Sequence, residues 1–342
     1  PAFNALWKGL STSFFARGYR EEVMSGYSNS GDGVRGDGTM DDSGEHYQLT
    51  SFELTCCGNG ASAVRDGLDY GYVMWNPEVD MGDIENWERI SPALPYLGRS
   101  IKTNSAGHGK YRGGSGWEVV RAVVGSSDFS LYKQILPGVA WDTGGMSGGY
   151  PAARNYTKYV SDTDLEERLE NEEQYPVSDS PVGTMEEDVD GDVFFKEAGL
   201  HFPRELDEYD VFRAQYGAGP GWGDPLERPI ERVKADVEDE VYSPDIVENV
   251  YGVVGELNED RREFSVDEAA TAERREEIMA EREAETQSYD EWWDAERDRV
   301  ADKEFAEPVQ WMYSGVFDQS EDWYERFVAF WDLSEEYELE EP

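Results

Sequence analysis

The chain has 342 residues, with 75 acidic against 30 basic side chains and a formal net charge of −45. That balance argues against nucleic acid as a partner, since phosphate neutralisation needs a basic face. No apolar run reaches membrane-spanning length, no signal-peptide pattern is present, and 13% aromatic residues, 11 of them Trp, exclude a merely solvating, disordered chain.

Self-repulsion at this charge opposes compaction. At about 1 M salt the screening length falls to roughly 3 Å. A salt-requiring fold from a high-salt cytoplasm is therefore expected. Cys56 and Cys57 are adjacent and are the only cysteines, so a disulfide framework is excluded and a reduced, cytoplasmic protein fits. They read as two small, half-buried strand residues. The chain opens on Pro1, which reads as a processed, split or truncated product.

Residues 2–16 place Phe3, Leu6, Trp7, Leu10 and Phe14 at helical spacing, predicting an amphipathic helix packed on the main body. Residues 26–45, rich in Gly, Ser and Asp, read as a loop. Phe52, Leu54 and Cys56 alternate with Glu53 and Thr55, as in a strand with one wet face. Further strands are predicted at Tyr70–Trp75, Trp117–Val124 and Phe129–Ile135. Residues 46–200 thus read as β-rich with long loops. Within them, 161–192 is an acidic stretch read as a solvated excursion.

Residues 216–254, YGAGPGWGDPLERPIERVKADVEDEVYSPDIVENVYGVV, are the most informative. Gly217, Gly219, Gly221 and Gly223 alternate, and Asp224-Pro225 ends the run. Such a run is neither a packed helix nor an ordinary strand; it marks backbone that turns or approaches another group closely. Leu226, Ile230, Val233 and Val237 then recur at helical spacing, with Pro229 suited to a first turn. Ser243-Pro244 reads as the N-cap and first residue of a second helix carrying Ile246, Val247 and Val250. Tyr251–Val254 leaves as a short strand or turn.

Helices follow. Ser265–Glu268 and Ser288–Glu291 both match a capping box. The second opens a helix with Trp292 and Trp293. A third segment places Val309, Met312, Tyr313, Val316 and Phe317 on one side, and a last one Trp323, Phe327, Phe330 and Trp331. Such aromatic stripes pack on their own domain or clasp another subunit. The fold class is α+β: a β-rich glycine-loop body over 1–254 and a helical C-terminal extension over 255–342.

The GWGDPLER, YSP and VYGVV blocks, in that order, resemble the C-terminal signature of the hydantoinase B/oxoprolinase superfamily. Within it, DEAATAERREEIMAERE followed by the Trp-rich segment and FVAFWDL resembles the C-terminal extension of acetone carboxylase α subunits. So do NPEVDMGDIENWE (76–88), YLGRSIKTNSAGHGKYRGGSG (96–116) and MSGGYPAARNY (146–156). The first 75 residues match less clearly, and the acidic stretch departs in composition.

Chemistry-bearing residues are few. Gly107–Gly116 sets His108, Lys110 and Arg112 on a glycine-rich loop, a candidate cradle for a carboxylate or phosphate. The competing reading is a tight turn with Arg112 in a salt bridge. It is not a Walker A loop. Asp80, Asp83 and Glu85 have hard-metal spacing, which chance supplies often in so acidic a chain. His46, His108 and His201 are far apart, and no H-E-x-x-H, C-x-x-C or G-x-S-x-G motif occurs. The glycine run with Asp224 is read as structural.

The resemblance implies the rest. It implies ATP-driven carboxylation of acetone with bicarbonate, ATP held by a hydantoinase A-like β subunit, a small γ subunit, and a divalent metal, manganese. It places the His/Asp metal ligands in an upstream half of the α subunit, so no metal or catalytic residue is assigned to this chain. The alternatives are an ATP-dependent hydantoinase or 5-oxoprolinase subunit opening a cyclic amide, and a non-catalytic remnant of a split gene.

Overall fold

The structure is a computed structural model describing residues 2–21, 23–26, 34–51, 58–69, 84–134, 144–153, 156–173, 189–196, 204–334 and 336–339. The predicted strands at 52–56 and 70–75, both cysteines, Asp80, Asp83 and His201 lie outside these residues. The chain divides into two compact units, Pro1–Glu276 and Glu277–Pro342.

The larger unit opens with α1 (Ala2–Ala16), then β1 (Val34–Thr39), β2 (His46–Ser51), α2 (Ile84–Ile90), β3 (Tyr96–Ile101), β4 (Trp117–Ala122) and β5 (Phe129–Gln134). There follow β6 (Tyr156–Ser161), α3 (Leu165–Glu170), β7 (Asp192–Lys196), β8 (Arg204–Leu206) and β9 (Val211–Tyr216). These strands form two antiparallel sheets, in the orders β2-β1-β5-β8 and β3-β4-β9-β6-β7.

Period-two alternation decides which side chains go inward. In β4 and β9, Val119 lies opposite Ala214 and Trp117 opposite Tyr216. Trp117, Val119, Phe212 and Ala214 pack with Tyr47, Phe129, Leu131 and Leu206 of the other sheet. The second face of the same strands carries Val120, Ala122 and Val211, continued by Val160 on β6 and packed with Leu165 and Val189. A strand buried on both faces must pair its charges. Arg213 accordingly bonds Glu118, and Arg121 lies 3.7 Å from the Tyr96 ring centre while donating to Leu94 O at 3.1 Å.

Two sequence readings are corrected here. Residues 34–39 are strand β1, not loop: a Cβ on Gly36 would lie 2.5 Å from Phe129 Cζ, and one on Gly38 2.6 Å from Tyr47 Oη. The glycines are there because aromatic rings lie over them. The acidic stretch is not wholly a solvated excursion either, since Leu165 and Val189 at its two ends are buried core residues.

The predicted order of glycine run, helix, helix, exit holds. A single 3-10 turn (Pro225–Glu227) is capped by Asp224, whose Oδ1 accepts from Leu226 N at 2.9 Å. Helices α4 (Ile230–Glu238) and α5 (Pro244–Tyr251) follow, with Pro229 and Ser243 at their N-caps. Gly252 ends α5 in the left-handed region at φ 62°. Hairpin β10 (Gly255–Asn258) and β11 (Glu263–Val266) returns onto them, and Val233, Val237, Tyr242, Val247, Tyr251 and Phe264 form one core.

Helices α6 (Glu268–Glu285), α7 (Tyr289–Ala301), α8 (Glu307–Gln319) and α9 (Glu321–Trp331) complete the chain. The capping box at Ser288 and Glu291 is present. That at Ser265 is not: Ser265 belongs to β11, and Asp267 caps α6, its Oδ1 accepting from Ala270 N at 3.0 Å. Within the smaller unit Val300, Phe327, Val328 and Tyr337 are buried, and Trp293 stacks on Trp331 at 5.1 Å. No helix among the described residues is long and apolar enough to cross a membrane.

Helix α1 forms as predicted, but it is not packed along its apolar stripe. Leu6, Leu10 and Phe14 are exposed. Its anchors are Ser11, which donates to Met24 O at 2.8 Å, and the Phe15 ring 5.2 Å from Trp222.

Candidate functional site

The glycine run builds a layer of main chain packed on main chain. A Cβ on Gly219 would stand 1.8 Å from Asn59 O, and one on Gly221 1.9 Å from His108 O. Both distances are far inside van der Waals contact, so these positions require glycine. Side chains being excluded, the loops bind one another through the peptide groups: Gly107 N to Gly219 O at 2.9 Å, Gly219 N to Gly114 O at 2.8 Å, Gly221 N to Tyr150 O at 3.0 Å, Gly58 N to Gly217 O at 3.1 Å. Tyr111 and Trp222 exchange two bonds at 2.9 and 3.0 Å.

This layer carries the three basic residues singled out in the sequence, and it does not bring them to one point. Arg112 is buried. Its guanidinium grips Asp69 through two nitrogens, at 2.7 and 3.0 Å, and donates from Nε to Asp236 at 3.1 Å. Lys110 faces outward and pairs with the exposed Glu227 at 2.9 Å. His108 lies against aromatic rings, 4.9 Å from Tyr242 and 5.6 Å from Tyr251, and its buried Nδ1 has no hydrogen-bond partner.

The loop does hold anions, and they are the chain's own. The amide of Ser115 donates to Asp69 at 2.7 Å and that of Arg112 to Asp66 at 2.9 Å. Arg228, itself buried, forks onto Asp66 at 2.8 and 3.0 Å and onto Asp236 at 2.8 and 3.1 Å. Two arginines and three aspartates thus form a continuous chain, with Asp236 shared in the middle. Sequence reasoning missed Asp66, Asp69, Asp236 and Arg228. The only signal was Arg228 inside GWGDPLER, a cation following the glycine run in a chain where cations are scarce.

The electrostatics follow from burial and pairing. Burial opposes the charged forms, but Asp69 and Asp236 outweigh it at Arg112, and Asp66 and Asp236 outweigh it at Arg228, so both guanidinium pKa values rise. Burial would also raise Asp69; the bonds from Arg112 reverse that and hold its carboxyl below the ordinary value. His108 has burial alone, which pushes it down to about 4, so it is neutral at pH 7. Tyr242 and Tyr251 are pushed up by burial and stay protonated.

No group of three or more His, Cys, Asp or Glu side chains among the described residues is arranged to hold a metal. His46 stands beside Asp37 at 3.7 Å on an exposed strand end.

Known proteins resemble this chain in sequence, and a solved structure resembles it in fold. The hydantoinase B/oxoprolinase family pattern matches residues 4–225. The acetone carboxylase alpha subunit of Xanthobacter autotrophicus (strain ATCC BAA-1158 / Py2) is 35% identical over 347 aligned residues, which cover 99% of this chain and 44% of that protein. The acetophenone carboxylase delta subunit of Aromatoleum aromaticum is 26% identical over 214 residues, covering 61% of this chain and 31% of that one. A solved nucleotide-free structure of acetone carboxylase superposes with a TM-score of 0.86 and 34% identity, over 99% of this chain and 45% of that one. The chain spans less than half the length of these relatives.

Proposed function

This chain belongs to the hydantoinase B/oxoprolinase family, and from that premise we propose that it is part of the α subunit of an ATP-dependent acetone carboxylase. The single observation that carries the reading is the reach of the similarity. It runs past the family region, which ends at residue 225, through the helices at 277–342, to an acetone carboxylase fold.

In this reading acetone and bicarbonate become acetoacetate. ATP phosphorylates the ketone as its enol and bicarbonate as carboxyphosphate; carboxyphosphate breaks down to CO2 and phosphate, water takes the phosphoryl group of the enol phosphate as phosphate, and the enolate so released forms the new C–C bond to CO2. ATP is held by a hydantoinase A-like β subunit, with a small γ subunit completing the assembly. The resemblance assigns the divalent metal, manganese, to the part of the subunit outside this chain. This chain supplies scaffold and subunit contacts.

Within the loop at 107–116, Arg112 serves as a structural cation. Lys110 is the exchangeable one, because an exposed pair such as Lys110–Glu227 is weak and can trade its carboxylate for a substrate or nucleotide anion. The body over 1–254 and the extension over 255–342 are the functional division. The charge of −45 favours a high-salt cytoplasm. Circular dichroism checks that point: a fully native spectrum in dilute buffer counts against it.

The decisive experiment is reconstitution with the partner subunits and the remainder of the α subunit in molar KCl, measuring acetone-dependent ATP hydrolysis and acetoacetate. The isolated chain is expected to be inactive. Bicarbonate-independent opening of a hydantoin or 5-oxoproline, without acetone turnover, would transfer the assignment to the cyclic-amide hydrolases.

A further inference from the structure

Arg275 stands on the inward stripe of α6. Thr271 and Ile278, at i−4 and i+3 from it, are 1% and 6% exposed. Its other helical neighbours, Ala272 and Met279, are uncharged too, so α6 offers no carboxylate at i±3 or i±4. None of the other described residues supplies one. The guanidinium makes two hydrogen bonds, both to main-chain carbonyls: Nε donates to Tyr251 O at 3.1 Å and Nη2 to Arg228 O at 3.2 Å. Burial lowers its pKa and no neighbouring charge opposes that, whereas at Arg112 and Arg228 aspartates outweigh burial.

Half of this arrangement is structural. Tyr251 is the last residue of α5, where unpaired carbonyls and the helix dipole favour a cation. Arg228 closes the 3-10 turn after the glycine run. These two carbonyls occupy one edge of the guanidinium, the edge shared by Nε and Nη2. A guanidinium has a second edge, made by Nη1 and the remaining proton of Nη2. Its two N–H groups lie parallel and match the two oxygens of a planar oxyanion. At Arg275 this edge has no acceptor among the described residues. None of its nitrogens is a buried atom left without a partner, so the edge is reachable from solvent. The carbonyl bonds hold the plane of the group, which leaves that edge preorganised.

We propose that the outer edge of Arg275 binds a planar carboxylate through two parallel hydrogen bonds, beside the Arg112–Asp236–Arg228–Asp66 network. The carboxylate has two sources of one chemistry: a small organic acid, or an Asp or Glu side chain of polypeptide outside these 342 residues. Only the choice of acetoacetate as the small acid rests on the carboxylation reading; the site itself does not.

Urea unfolding of the full chain, followed by circular dichroism, tests the first source. Part of the KCl is replaced by potassium acetate or potassium acetoacetate at constant ionic strength, and general salt effects act on every variant alike. The wild-type midpoint should rise saturably with either carboxylate. Arg275→Gln should show no such rise, and Arg275→Lys, which keeps the charge but loses the fork, a smaller one. A rise with acetate and none with acetoacetate upholds the site and counts against the carboxylation reading. The second source is read by sedimentation with the partner subunits and the remainder of the α subunit. If neither acid raises the midpoint, Arg275→Gln and Arg275→Lys, both folded by circular dichroism, should weaken that association about tenfold. Midpoints that shift equally in wild type and Arg275→Gln, with unchanged association, overturn the proposal and leave Arg275 as a cap of α5 alone.

Discussion

Asp236, on α4, accepts a bond from Arg112 Nε at 3.1 Å and so ties the helix after the glycine run to the loop at 107–116. Arg228 reaches the same carboxylate from the other side. Without Asp236, Arg112 keeps only the carboxylate of Asp69 and Arg228 only that of Asp66, so each buried guanidinium loses a charge-assisted partner, at a cost of about 3–5 kcal/mol for the two together. Asp236→Ala is therefore expected to lower unfolding free energy by that amount in a urea titration. An exposed pair gives a control: Arg326→Ala, which loses the surface bond to Asp322, should change it by less than about 1 kcal/mol.

Glycine positions separate just as sharply. Gly219→Ala must push a methyl group into Asn59 O, so the two loops have to part, at a cost of about 3 kcal/mol. Gly9, inside α1, has nothing within 4 Å of its missing Cβ. There Gly9→Ala should stabilise by about 0.5–1 kcal/mol, read as a higher melting temperature.

His108 gives a pH signature. The folded chain keeps it neutral down to about pH 4, while the unfolded chain protonates it below its ordinary value of 6.5. The unfolded state thus binds the extra proton between these limits, so stability falls as pH drops from 6.5 toward 4 and the loss is complete below that. Each tenfold difference in proton affinity between the two states is worth about 1.4 kcal/mol, which makes the full loss about 3 kcal/mol. His108→Gln should flatten this part of the stability–pH curve; an unchanged slope would place its cause elsewhere. Asp69, depressed by Arg112, acts at lower pH: its contribution disappears as pH falls through its folded-state value, below 3.8.

The two serine motifs make a matched pair. Ser288 Oγ accepts from Glu291 N, and Ser288→Ala should cost about 1 kcal/mol of stability in the helical unit. Ser265→Ala removes no cap, because Asp267 fills that place, and should be near neutral by the same measurement.

What could be read from the sequence was local. Helices α4 and α5 show in the spacing of Val233, Val237, Ile246, Val247 and Val250 and in Ser243-Pro244, and the core uses those same side chains, while Tyr251, read as the exit, is the last residue of α5. The glycine run was legible as unusual backbone, but not what it packs against, since Asn59 and His108 are distant in sequence. β1 was hidden because Gly36 and Gly38 look like loop until Phe129 and Tyr47 are laid over them. Asp66, Asp69 and Asp236 were invisible for a different reason: among 75 acidic residues, a buried carboxylate is spelled like a surface one. Only three-dimensional pairing distinguishes them.

The bonds from Gly107 to Gly219 and from Gly219 to Gly114 make neither loop complete without the other. During synthesis, the first loop must wait on the ribosome until the second has emerged, with its amides still bound to water. A body organised this way gains its order late and all at once, and its folding rate is set by closure of that distant pairing rather than by the helices that form beside it.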